Sequence, residues 1–476
     1  MLFTDLTFWA FFAVVGALYV ALPHRAQNRM LLIASYVFYG AWDWRFLGLI
    51  LFSTLVDYLV GLRLGAEERP AHRKRLLGVS LACNLGLLAV FKYLGFFAES
   101  FEALAGLFGY APGWVTLQIV LPVGISFYTF QTLSYTIDVY RRDLRPTRDF
   151  LDFALFVAFF PQLVAGPIER ARTLLPNIEL PRQLSWEALR RGTVLCLLGL
   201  IKKVVIADGI APSVDAIYAS PDPARIDILF ATWLFAIQIY CDFSGYTDIA
   251  RGVAKILGFE LMRNFAQPYF AADPQEFWRR WHISLSSWLR DYLYIPLGGS
   301  RGGRWRTYRN LMLTMLLGGL WHGAAWNFVL WGAWQGGLLA VHRAFAGRHG
   351  RVGEGERRGA LAWGWRLVKI AAFFQLVAYG WLLFRAGSFA QIAEFTGRLA
   401  GAIPAPGPGA MPAPPLAVLL GMGFLLLWDG WIELSGDMRF YARWPVWLRA
   451  ALYAGMVYLF AFGATTATSA FIYFQF

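Results

Sequence analysis

Formal charge is scarce in this chain. Only 15% of its 476 residues are Asp, Glu, Lys or Arg, and 58% are hydrophobic; a soluble globular domain carries roughly 25% charged residues. That shortage excludes an ordinary soluble fold. Cysteine is scarcer still: Cys83, Cys196 and Cys241 each sit in an apolar run and form no C-x-x-C pair, which excludes a disulfide framework and a cysteine-based zinc site. No G-x-x-x-x-G-K-[ST] stretch occurs, so no P-loop is expected, and no G-x-S-x-G elbow announces a Ser-His-Asp arrangement. The first apolar run lacks a basic stretch before it and an A-x-A cleavage site after it, so it is expected to be a retained span and not a removed leader. No internal repeat and no soluble domain is visible. There are only six histidines.

What fills the chain is apolar and aromatic. It holds 21 Trp and 40 Phe, and apolar runs occupy 7–22, 30–42, 46–62, 76–97, 115–138, 150–166, 193–207, 226–246, 311–341, 363–384, 414–432 and 447–465. At ~20 residues per crossing this is an all-α polytopic membrane protein with roughly ten to twelve spans. The formal charge of +13 fits cytoplasmic loops rich in Lys and Arg. Nucleic-acid binding is disfavoured, because the arginines lie in short loops between apolar runs. The basic segments at 63–75, at Arg25 with Arg29 and at 141–149 are expected to face the cytoplasm, which puts the N-terminus outside.

Two stretches do not read as plain spans. Residues 262–310 mix arginine with tryptophan and are expected to form helices that lie in the interface or dip into the protein. Residues 402–415, "AIPAPGPGAMPAPP", read as a linker without helix potential.

Three stretches carry polar chemistry at membrane depth. In "LLGGLWHGAAWNFVLWGAWQGGLL" no formal charge occurs between Leu316 and Leu339, yet His322 stands in it beside Trp321, with Asn327 five positions on. An ionisable group there is costly unless it meets a partner or a cavity. One reading is a histidine bonded to a neighbouring carbonyl. The other is a reacting group, with the flanking Gly318, Gly319 and Gly323 admitting close approach. In "DPQEFWRRWHISLSSWLRDYLYIPLGG", Trp278, Trp281, Leu285 and Trp288 form a stripe at helical spacing and His282 stands beside it. Asp273 is expected to cap this helix, with Pro274 first and Glu276 third. In "AIQIYCDFSGYTDIARG" a span runs into Asp242, Ser244, Tyr246 and Asp248. Buried carboxylates need partners, for which "RNFAQPYF" and the arginines of 279–290 are the candidates. The outcome is either a structural ion-pair network or a substrate-lining surface.

"FFPQLVAGPIER" at 159–170, "YCDFSGYTDIARG" at 240–252, the block from 264 to 299, "WHGAAWNFVLWG" at 321–332 and the final "FIYFQF" together resemble the membrane-bound O-acyltransferase (MBOAT) superfamily, most of all its bacterial alginate O-acetyltransferase branch. The motif core spans 159–332, within a single integral-membrane domain of 1–476. The resemblance implies about eleven transmembrane helices plus re-entrant pieces around a central tunnel. It implies that His322 and His282 match the family's two motif histidines. It also implies acetyl-CoA as donor substrate, no permanently bound cofactor, a bacterial inner membrane, and a periplasmic SGNH-type acetyltransferase as partner. The acceptor would be alginate or a relative such as cellulose or peptidoglycan. Acyl transfer to a hydroxyl needs a base near neutrality, which histidine supplies; the thioester is already activated, so no nucleophilic cysteine is required. Trp281 and Trp321 are further candidates to bind the donor, and tryptophan and backbone N–H groups offer donors to a developing oxyanion. Arg279, Arg280 and Arg290, with the arginines of 301–309, offer a cationic face to the donor's phosphates, or equally to anionic lipid headgroups. Asp242, Ser244, Tyr246 and Asn327 are the candidates for the substrate passage. The rival expectations are a transporter without chemistry and a scaffold that docks the periplasmic enzyme.

Overall fold

The structure, a computed structural model, describes residues 1–110, 120–164, 166–345, 360–404, 407, 409, 411–465 and 472. Among them every regular element is helical. In chain order these are α1 (Leu6–Ala21), α2 (His24–Asp43), α3 (Leu47–Ala66), α4 (Pro70–Leu88), α5 (Leu94–Gly106), α6 (Ile125–Arg141), α7 (Phe150–Ala158), α8 (Phe160–Leu163), α9 (Ala171–Glu179), α10 (Trp186–Leu200), α11 (Asp208–Tyr218), α12 (Arg225–Ile256), α13 (Pro274–Arg280), α14 (Ile283–Leu289), α15 (Arg304–His322), α16 (Trp326–Phe345), α17 (Ala360–Arg385), α18 (Phe389–Ala400), α19 (Leu416–Ser435) and α20 (Val446–Gly463). Wider π-helical turns, Ala89–Tyr93 and Ile201–Ala207, join α4 to α5 and α10 to α11.

Six continuous stretches among the described residues are long and apolar enough to cross a membrane: His24–Ala66, Pro70–Gly106, Arg225–Ile256, Ala362–Arg385, Leu416–Ser435 and Val446–Gly463. The first has 43 residues, which at ~1.5 Å per residue is about twice the hydrocarbon thickness. It bends where Asp43 leaves the helical region (φ −159°) and its side chain accepts from the Arg45 N–H, so it holds α2 and α3 as separate helices.

The chain packs as two compact units, Met1–Cys196 with Ile249–Met262, and Leu197–Asp248 with Arg263–Phe476. In the first, the basic segment 63–75 is largely helical and not a loop. Pro70 starts α4 from its first turn, and only Glu67–Arg69 interrupts. Arg73 is buried there, donating to the Leu64 and Glu67 carbonyls of α3's end and to Val139 and Tyr140 of α6. A residue counted as loop charge therefore caps two helix C-termini. The expected span at 150–166 is also revised. α7 has 9 residues and the chain turns at Phe159, because Pro161 has no N–H to continue the ladder. α7 is walled in by protein, with Phe153 through Phe160 each at most 1% exposed.

α12, shared by both units, continues ten residues past the apolar run expected to end at 246, as far as Ile256. The run expected at 311–341 is two helices, α15 and α16, broken at 323–325, where Gly323 is extended (φ −156°). The described residues of 402–415 carry no helix, as their composition requires.

Candidate active site

His322 is the last residue of α15, at the tip of the α15–α16 hairpin. The two helices meet with almost no space between backbones. A Cβ on Gly319 would collide with the Phe328 carbonyl, and one on Gly332 with the Met315 carbonyl. Only glycine permits this approach, and it seats the His322 ring among aromatics: ring centroids lie 5.1 Å from Trp321, 5.1 Å from Trp331 and 5.8 Å from Phe384. Phe384 comes from α17. Asn327, expected to line the substrate passage, fastens that helix, donating from Nδ2 to the Phe384 and Ala386 carbonyls, each at 3.2 Å.

His282 lies between α13 and α14, where one continuous interfacial helix was expected. The cap is as the sequence predicts: Asp273 Oδ1 accepts from the Gln275 and Glu276 N–H groups, and Pro274 opens α13. Then the helix stops, because the segment 264–266 takes its hydrogen bonds. The Arg280 carbonyl accepts from Ala266 N–H at 2.9 Å, and the Ile283 N–H donates to the Asn264 carbonyl at 2.9 Å. His282 turns between them with a left-handed backbone (φ 43°, ψ 54°), a conformation in which histidine is among the better tolerated non-glycine residues.

This turn brings both imidazoles together. Their centroids are 6.2 Å apart, and His282 also meets Phe243 at 4.6 Å and Trp321 at 6.0 Å. Both are buried, His282 at 0% and His322 at 4% exposure. His282 lies outside the six crossing-length stretches; burial first, and His322 beside it second, hold its imidazole well below the usual value, so it is neutral. Trp281 stacks on Phe277 with centroids 5.5 Å apart and meets Trp381 at 4.8 Å.

The α12 carboxylates find partners other than those expected. Asp242 pairs with Lys203 at 2.5 Å, Lys203 also holds Asp208 at 2.8 Å, and Asp248 pairs with Lys202 at 2.8 Å. The two lysines, which fall inside the apolar run at 193–207, are the counter-ions that let α12 stay helical and buried. From "RNFAQPYF", Gln267 donates to Asp429 Oδ1 at 3.3 Å and the Tyr269 hydroxyl donates to the Ala236 carbonyl of α12 at 2.5 Å, while Tyr240 donates to Asp429 Oδ2 at 2.7 Å. The Ile472 N–H donates to Asp242 Oδ2 at 2.8 Å; the rest of the aromatic C-terminus lies outside the described residues. Ser244 and Tyr246 are each 1% exposed on the same helix.

Among the arginines, Arg280 is held by Glu276 at 2.6 Å and Glu433 at 2.5 Å, and Arg366 joins the same two carboxylates. Its charge ties α13 to α17 and α19. Arg279 is exposed, and Arg290 pairs with the adjacent Asp291 while its side chain stays 62% exposed. The contributions of Phe243, Trp331, Phe384 and Asn264 were not read from the sequence. The first three are aromatics in aromatic surroundings and carry no local signal. Asn264 opens the "NFAQPYF" motif and was legible as a polar group there, without an assigned role.

The model of the membrane-bound O-acyltransferase family matches residues 141–350, a span that contains both histidines. A probable alginate O-acetylase, AlgI, of Azotobacter vinelandii is 48% identical over 346 residues, covering 72% of this chain and 69% of that protein. The chain belongs to the membrane-bound O-acyltransferase family. A second AlgI, from Pseudomonas putida, is 46% identical over 348 residues, covering 72% of this chain and 71% of the relative. A peptidoglycan O-acetyltransferase of Helicobacter pylori is 36% identical over 378 residues, covering 72% and 70%. The protein is thus a multi-pass membrane O-acyltransferase.

Proposed function

We propose that this O-acyltransferase moves an acetyl group from acetyl-CoA, entering on the cytoplasmic side of a bacterial inner membrane, toward the hydroxyls of an extracytoplasmic polysaccharide, with alginate the foremost candidate. The observation that carries this reading is the pair of imidazoles with centroids 6.2 Å apart inside an aromatic shell. Two imidazoles held at that spacing, in a setting that excludes bulk water, can orient a hydroxyl and take its proton. His322 acts as general base. It takes the hydroxyl proton as the oxygen attacks the thioester carbonyl; the new C–O bond forms, the C–S bond breaks, and the departing thiolate takes the proton back. N–H groups of Trp281 and Trp321 are the candidate donors to the oxyanion.

The exposed Arg279 and Arg290 face the donor's phosphates. Arg280, already paired with two carboxylates, serves as a structural tie. The N-terminus lies in the periplasm, with Glu67–Arg69 and 142–149 in the cytoplasm. A periplasmic SGNH-type acetyltransferase completes the transfer to polymer. The Helicobacter relative keeps peptidoglycan as a second acceptor candidate. The test is polymer acetylation in cells carrying His322→Ala at wild-type accumulation. Loss of the polymer's acetyl groups is expected, and undiminished acetylation would favour a transporter or a docking scaffold.

A further inference from the structure

One atom of Asn264 serves three neighbours. Its Oδ1 lies 3.1 Å from the Ser284 backbone nitrogen, 3.0 Å from Ser284 Oγ and 3.2 Å from His282 Nδ1. All three residues are buried, with Asn264 1% exposed and the other two at 0%. The Ser284 backbone N–H can only donate. The atom it meets is therefore the amide oxygen, and the orientation of the Asn264 side chain follows from the backbone around it. An acceptor oxygen facing His282 Nδ1 requires a proton on that nitrogen, since two lone pairs facing each other repel. The Ser284 hydroxyl does not supply the alternative, because it lies 3.4 Å from Nδ1 and closer, 3.0 Å, to Oδ1. A neutral imidazole carries one ring proton, so Nε2 holds the lone pair.

We propose that Asn264 is a positioning residue, which locks His282 in its left-handed turn and in the Nδ1–H tautomer, so that Nε2 presents an acceptor to the reacting centre. The consequence for chemistry is specific. His282 accepts a hydrogen bond from a hydroxyl or a water beside His322, and cannot donate one to a developing oxyanion. That task passes to other donors. The activity arm of this inference rests on the proposed roles of His322 and His282; the tautomer arm does not.

The experiment is nitrogen NMR of the full chain, labelled with 15N-histidine and held in lipid nanodiscs, with the His282 signals identified by their absence in a His282→Gln sample. Wild type is expected to show a protonated Nδ1 and an unprotonated Nε2. Asn264→Leu removes the acceptor and should shift His282 toward Nε2–H, with kcat falling ~10²-fold and KM little changed. Asn264→Asp keeps an acceptor oxygen, retains the Nδ1–H form and most activity, and moves the acid limb of the pH–rate profile to higher pH, because a carboxylate favours the protonated ring. A wild-type spectrum with Nε2–H overturns the proposal by itself, even if Asn264→Leu fails to fold, and so does Nδ1–H persisting in Asn264→Leu. Should the tautomer be as stated while His322→Ala remains active, the functional reading fails and the tautomer assignment stands.

Discussion

Gly319→Ala is the substitution whose effect can be worked furthest from geometry. Its new methyl group would collide with the Phe328 carbonyl, with Gly332 of the facing helix close behind. Both obstacles are backbone, so no side chain can swing aside, and the hairpin must open. Ordinary van der Waals contact begins near 3.4 Å, which requires the helices to part by about 1 Å, a displacement able to cost ~10²-fold in rate when it misplaces a reacting group. His322 stands three residues along the same helix and shares the turn that the displacement distorts. The control is Gly337→Ala on α16, whose Cβ would meet nothing within 4 Å; there alanine gains ~1 kcal/mol of helix propensity and leaves the hairpin alone. The assay is polymer acetylation in cells, normalised to membrane-inserted protein. The expectation is a fall of ~10²-fold for Gly319→Ala and wild-type output for Gly337→Ala. Equal output from the two variants at equal accumulation would show that the hairpin's close approach does not position the reacting group.

Other outcomes follow from the same structure. Lys203→Met leaves Asp208 and Asp242 buried without their shared ammonium and should lower stability by about 3–5 kcal/mol, read as a drop in the thermal midpoint of the detergent-extracted protein. Adding Asp208→Asn and Asp242→Asn should recover part of it, and a Lys203→Met protein that melts with wild type would contradict the pairing. Asp273→Ala removes the acceptor for two N–H groups at the start of α13 and should cost about 1 kcal/mol, whereas Asp273→Asn should cost much less; the same melting experiment checks both.

The sequence made legible what depends on neighbours along the chain. The Asp273–Pro274–Glu276 cap, the lack of helix among the described residues of the Pro/Gly/Ala stretch and the helical, membrane-bound character all follow from local composition and spacing. The break between α15 and α16 was invisible because the turn at 323–325 is made of glycine and alanine, so nothing polar marks it. The roles of Lys202 and Lys203 leave no local trace because their partners, Asp248 and Asp242, lie on another helix, α12. The split of the expected interfacial helix at His282 depends on Asn264 and Ala266 taking hydrogen bonds from a distance of many residues, which no periodicity records. Both histidines were singled out as unusual; that their rings lie together is a consequence of the left-handed turn and the glycine-bearing hairpin, and only the fold shows it.

The central claim is that the His322 imidazole takes part in breaking the donor thioester. Purified protein in nanodiscs, supplied with acetyl-CoA and an acceptor oligosaccharide, should release free thiol, and His322→Gln, which retains the size and polarity but not the basicity, should lower that rate ~10²-fold or more at unchanged thermal stability. Thiol release at the wild-type rate in His322→Gln would contradict the account.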